Sequence, residues 1–96
     1  MATVRLLPRA RRDLDDIWDF SLAQWSSAQA EFYLRQFQSA FRLLTDDPKL
    51  GRACDEIRAG YRKFPVGSHV IFYRIVGMDV EIVRILHQRM DVKSNI

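Results

Sequence analysis

The chain has 96 residues, 28% of them charged and 48% hydrophobic, with a formal net charge of +3. That length suits one domain over residues 1–96, and the composition is globular, excluding a disordered chain. No apolar run approaches the roughly 20 residues of a membrane span. The opening MATVRLLPRARRD has no apolar stretch long enough for a signal peptide, and one cysteine, Cys54, forms no intrachain disulfide. A cytoplasmic, non-membrane protein is the expectation, with Cys54 a buried or half-buried thiol.

The segment TVRLLP alternates Val4 and Leu6 with Thr3 and Arg5, which predicts a strand. Pro8 follows where a helix can begin, since the first turn needs no N–H there. From Arg9 to Trp25 the apolar positions Leu14, Ile17, Trp18, Leu22 and Trp25 are three or four apart and predict one helical face. Arg9 with Asp13 and Arg12 with Asp16 are spaced to pair on the solvent side. Asp13, Asp15, Asp16 and Asp19 read as a solvated acidic face, because no histidine or further carboxylate is spaced to complete a metal site.

Ser26 with Gln29 fits a helix-capping box. A second helix is expected to about Leu44, with Tyr33, Phe37, Ala40, Phe41 and Leu44 as its buried stripe and Pro48 beyond its end. So short a break forces an antiparallel helix hairpin. The aromatic stripes suit packing on a sheet better than a cofactor pocket. DPKLGRACDEIRAG reads as a loop. Three strand-like runs follow, YRKFPV, SHVIFYRIV and DVEIVRILH, joined by hairpin-sized turns at Gly67 and Gly77. Pro65 marks its strand as short, bulged or at an edge.

The layout is β-α-α-β-β-β. It predicts an α+β two-layer sandwich, with the helix hairpin on one face of a small antiparallel sheet. Both alternating sets of the last two strands are apolar: Val70, Phe72 and Val76 against Ile71, Tyr73 and Ile75, then Val80, Ile82 and Leu86 against Val83 and Ile85. The helices can cover one face only, so the other is expected to keep apolar surface, with Arg74 and Arg84 reaching its rim. Charge is uneven as well. Residues 1–57 carry eight Lys/Arg and nine Asp/Glu, whereas residues 58–96 carry seven and three. The basic second half suits an acidic partner, protein or nucleic acid.

The run YRKFPVGSHVIFYRIVGMDVEIVRILHQRMD resembles the C-terminal half of the RelE/ParE superfamily of bacterial toxins, from type II toxin–antitoxin pairs. PRARRDLDDIWDFSLAQW resembles that family's first helix, and AEFYLRQFQSAFRLLTDDPKLGR its second helix and following loop. The resemblance implies the RelE/ParE-like fold and one of two activities. RelE-like members are ribosome-dependent mRNA endoribonucleases, which need cations for the scissile phosphate and a proton donor or acceptor. ParE-like members poison DNA gyrase without bond chemistry of their own.

On the second strand the matching positions hold Arg62, Lys63 and then the apolar Phe64. Val70 stands where RelE-like members have an arginine, and Asn95 stands near their C-terminal tyrosine. Arg89 matches their late arginine, and His87 is a candidate general acid. These departures place the chain on the ParE-like branch, with Arg62, Lys63, Arg74, Arg84, His87 and Arg89 as partner-binding residues. The alternative is a RelE-like nuclease using Arg62, His87 and Arg89. A toxin fold that has lost toxicity is a third reading. The resemblance further implies a gyrase target, through its A subunit, and a cognate antitoxin whose C-terminal segment wraps the toxin. Operator DNA would be contacted only through that antitoxin. No cofactor or metal signature is present.

Overall fold

The computed structural model describes residues 2–96. The elements run β1 (Val4–Leu6), α1 (Pro8–Gln24), α2 (Ser27–Asp46), β2 (Arg52–Ala53), β3 (Tyr61–Val66), β4 (His69–Val76), β5 (Asp79–His87) and α3 (Val92–Asn95). Pro8 opens α1, and the chain turns extended at Trp25. The Ser26 hydroxyl then caps α2 by accepting the Gln29 N–H at 3.2 Å. Along α2 the buried positions are Ala30, Tyr33, Phe37, Ala40 and Leu44, in alternating steps of three and four. Along α1 they are Ala10, Ile17 and Ser21, with Leu14 partly buried beside them. Leu22 and Trp25, expected on the buried face, are exposed instead. Leu22 lies a full residue's rotation round the helix from Ser21, and Trp25 has already left it.

The sheet has five strands in the order β1-β5-β4-β3-β2. It departs from the expected all-antiparallel sheet because β1 lies parallel to β5, with Val4 opposite Val80 and Leu6 opposite Ile82. Period-two alternation marks a strand without stating its neighbour. Here the neighbour is at the far end of the chain, and the Thr3 N–H and hydroxyl both reach the Asp79 carboxylate at 3.0 Å. β2 falls inside the stretch expected as a loop; two residues, opposite Lys63 and Arg62, are too few to show alternation. β2 covers β3 only there, so the outer side of β3 is open at Pro65, where a ladder N–H would be missing.

The β3–β4 turn is Gly67-Ser68, with Gly67 at φ +56°. Only glycine enters that region without strain. A Cβ on Gly67 would also sit 2.6 Å from the Tyr33 ring. Between Phe72 and Tyr73 the β4–β5 register shifts by one: Tyr73 faces Ile82 and Phe72 faces Arg84, leaving Val83 as a bulge.

The main core lies between helices and sheet, where Phe37, Leu44, Tyr73, Val80 and Ile82 are fully enclosed. The opposite face is not left bare, as the alternation had suggested. Phe72, Leu86, Val70 and Val83 are covered there by Cys54 and Ile57 of the β2–β3 connection and by Val92 and Ile96 around α3. This chain supplies its own second layer from segments too short and polar to announce it. Among the described residues, no helix is long and apolar enough to cross a membrane. Phe37→Ala should remove a fully buried ring and lower stability by about 3–5 kcal/mol, read as a lower urea midpoint with the slope unchanged.

Candidate functional site

β1 ends at Leu6, so β5 loses its neighbour on that side after Ile82. α1 crosses the gap, and Asp13 does what a strand would otherwise do. Its carboxylate accepts the Ile85 N–H at 2.9 Å and two bonds from Arg84, at 2.7 Å from Nε and 2.9 Å from Nη2. The third arm of the guanidinium, Nη1, donates to the Asn95 carbonyl at the end of α3. Arg9 donates to the Asn95 and Ile96 carbonyls. The Asp13 and Arg84 side chains are only 13% and 10% exposed. The hydrogen bond to Asp13 holds the guanidinium even more firmly in its charged form. Asp13 is therefore not part of the solvated acidic face, and Arg9 does not pair with it. Asp15, Asp16 and Asp19 do remain on the surface.

Beyond this clamp a groove of ≈ 550 Å³ opens between α1 and the ends of β4 and β5. Ile17, Phe20 and Trp25 form one wall, and Leu86, His87 and Met90 the other. Phe20 is 62% exposed. His69 and His87 sit directly opposite each other on β4 and β5, rings edge to face at 5.2 Å. The Tyr33 hydroxyl lies 2.7 Å from His69 Nδ1 and accepts the Ser68 N–H at 3.1 Å, tying α2 to the β3–β4 turn. Burial, and next the neighbouring His87, push the His69 pKa down to about 4, with Asp13 opposing them. His87 Nδ1 accepts the Arg89 backbone N–H at 3.2 Å.

A second groove, ≈ 500 Å³, lies between α2 and the open edge of β3, lined by Phe32, Leu43, Phe64 and Pro65. A shallower depression lined by Trp25, Phe32 and Tyr33 shares residues with both grooves. The apolar surface is thus continuous around one side of the molecule, with Phe32 65% exposed.

The sequence-derived site residues do not gather into one patch. Arg62 donates to the Gly51 carbonyl at 3.0 Å, in the corner where the Tyr73 hydroxyl donates to the Pro48 carbonyl. Lys63 lies across from Phe72, between it and Arg52. Arg74 is held by Glu81 at 2.8 Å, and Arg5 binds the same carboxylate. Arg84 is inside the fold, clamped by Asp13. Only His87, which lines the groove, and the exposed Arg89 lie together, joined by the Arg89 backbone N–H. Arg62 is opposite Tyr73 while His87 is opposite His69. Those β4 positions are four residues apart, ~13 Å along the strand. The set Arg62, His87 and Arg89 required for a nuclease is not brought together.

Sequence reasoning missed His69, Tyr33, Phe20 and Phe32. Counting outward from the Gly77-Met78 turn without the bulge would set His69 against Leu86. The bulge moves it to His87. Cys54 is fully enclosed, and burial raises its thiol pKa, as an inert thiol requires. Among the described residues, no three His, Cys, Asp or Glu side chains cluster as metal ligands.

Two helices packed on a five-stranded mixed sheet also describe solved chains of bacterial toxin–antitoxin systems. A chain from the chromosomal ParDE toxin–antitoxin system of P. aeruginosa superposes with a TM-score of 0.78 at 19% identity, covering 91% of this chain and 96% of that one. A chain from the toxin–antitoxin complex RelBE2 of Mycobacterium tuberculosis gives 0.61 at 32% identity, covering 88% and 95%. The architecture is that of the RelE/ParE superfamily. The family model described as "ParE toxin of type II toxin-antitoxin system, parDE" matches residues 4–92. Toxin ParE1 of Mycobacterium tuberculosis is 50% identical over 92 residues, 95% of this chain and 94% of that one. Toxin ParE1 of Caulobacter vibrioides is 44% identical over 96 residues, 100% and 99%. The chain belongs to the ParE toxin family of type II toxin–antitoxin systems.

Two outcomes are expected from this geometry. Asp13→Ala should cost about 3–5 kcal/mol in denaturant unfolding, because it leaves a buried guanidinium without its partner. Asp13→Ala combined with Arg84→Met should recover part of that loss. For His69, a native pKa near 4 against an ordinary 6.5 means that the unfolded chain binds the extra proton more readily between those values. Its contribution is complete above pH 6.5 and is lost as pH falls towards 4, up to about 2 kcal/mol after allowing for partial solvent contact. The difference in unfolding free energy between the natural chain and His69→Gln should follow that curve.

Proposed function

We propose that this protein arrests growth by binding DNA gyrase and trapping its cleaved-DNA intermediate, and that a cognate antitoxin neutralises it. Its place in the ParE family supports the target class, and the A subunit is the contact that the family resemblance suggests. The observation that carries the reading is the separation of Arg62 from His87 and Arg89. Phosphodiester cleavage needs cations and a proton-transfer group around one phosphate. Here one cation is tied to Gly51, four residue positions along the sheet from the histidines. The chain's contribution would then be a surface, without bond chemistry of its own.

The antitoxin reading draws support from the structural relatives, which come from ParDE and RelBE2 toxin–antitoxin systems. It also draws on the continuous apolar grooves, which suit an amphipathic segment that is disordered alone and folds along them. Operator DNA would be reached through the antitoxin. The fold serves as one toxin domain over residues 1–96.

The test sets purified protein against gyrase with supercoiled plasmid, and separately against a translating ribosome. Linearised plasmid and intact message are expected, and adding the antitoxin should prevent the linearisation. Cut message with untouched plasmid topology would overturn the gyrase target in favour of a ribosome-dependent nuclease. Unimpaired growth on expression without antitoxin would overturn toxicity altogether.

A further inference from the structure

We propose that His69 and His87, with Arg89 beside them, form a receiving site for one carboxylate at the end of the α1 groove. Its occupant is an acidic side chain of a peptide segment whose apolar neighbours lie on Ile17, Phe20 and Trp25. The identity of that segment, the antitoxin, rests on the reading above; the chemistry of the site does not.

Hydrogen positions follow from the bonding. His87 Nδ1 accepts the Arg89 N–H, so in the neutral ring the proton is on Nε2. The Tyr33 hydroxyl already accepts the Ser68 N–H at 3.1 Å, and its own proton has two acceptors, the Val66 carbonyl at 3.3 Å and His69 Nδ1 at 2.7 Å. The shorter of the two bonds leaves the His69 proton on Nε2, the tautomer that a bound carboxylate selects. Among the described residues neither Nε2 has a protein partner, and neither is sealed from solvent. Both rings line the same groove, opposed in register at 5.2 Å. Ring centres 5.2 Å apart bring the two Nε2 atoms within the span of one carboxylate, and the exposed Arg89 follows two residues after His87, to which its backbone N–H is bonded.

A metal ion does not suit this pair. Among the described residues no third His, Cys, Asp or Glu joins the two rings as a ligand. A nucleic-acid backbone suits it poorly too. The other charged groups facing the groove are Asp13 and Asp16 of α1 and Arg84 of β5, and Arg84 is neutralised by Asp13. With Asp13 and Arg84 cancelling each other, the groove offers a polyanion no row of cations to follow, whereas a single acid on an apolar segment needs only the donors at the groove's end. Burial keeps His69 uncharged at pH 7, so its N–H is offered without a counter-anion to displace.

The probes are 4-phenylbutyrate, its neutral amide 4-phenylbutyramide, and 3-phenylpropylphosphonate, titrated into the full chain and followed through the histidine side-chain NMR signals. The carboxylate is expected to bind about tenfold tighter than the amide, the scale of a charge-assisted hydrogen bond. It should shift the signals of both His69 and His87 and raise the titration midpoint of at least one by about a unit. His87→Phe should abolish the preference for the acid while the amide still binds, which shows the groove intact. Arg89→Gln should weaken the carboxylate about threefold. Equal binding of acid and amide, or shifts confined to residues outside the groove, would overturn the site. Tighter binding of the phosphonate would overturn the choice of a carboxylate. The experiment contains neither gyrase nor antitoxin, so its failure leaves the toxin reading untouched. Loss of growth arrest, conversely, says nothing against a positive titration.

Discussion

The structure hangs on one ion pair. Asp13 and Arg84 meet where β1 has run out and β5 continues without a neighbour, and that carboxylate takes up an N–H that a strand would otherwise have satisfied. An unpaired backbone donor at such a position costs as much as a lost hydrogen bond. One side chain therefore replaces a stretch of strand, orients α1 across the sheet and, through Arg84, fixes the carbonyl end of α3. The groove exists because a side chain fills this space where a longer β1 would have closed it.

Around that constraint the molecule keeps two kinds of surface apart. Several of its cations are tied to partners within the fold: Arg84 to Asp13, Arg74 and Arg5 to Glu81, Arg62 to Gly51. Its open ground is apolar and aromatic, Phe20 and Trp25 on one groove and Phe32 and Leu43 on the other. The excess of basic residues in the second half is real, yet much of it is structural. Recognition on such a surface comes from shape and apolar burial, with a few polar groups setting register.

The architecture was legible in the sequence where periodicity was strong. The α2 stripe, the three C-terminal strands and both glycine turns follow from spacing alone. The parallel partner of β1 was not legible, because alternation carries no information about neighbours. β2 and α3 were hidden by their length, and with them the cover over Phe72 and Leu86. The site was read only in part. His87 and Arg89 were visible as a local cluster. Arg84 looked like a surface charge, because its partner is 71 residues away on a helix whose other aspartates do face water. His69 was concealed by a one-residue bulge, and Tyr33 looked like any aromatic on a buried stripe.

The parallel pairing of β1 with β5 has a consequence for how the protein is made. β1 must wait for β5, so the sheet cannot be completed until the strand 76 residues further along has emerged. Until then Asp13 lacks Arg84, and the apolar stripe of the early helix hairpin has nothing to lie on. Contacts so distant along the chain slow folding and prolong the exposure of that stripe. Synthesis therefore passes through an interval in which the helix hairpin has formed while the strands that cover it are still arriving.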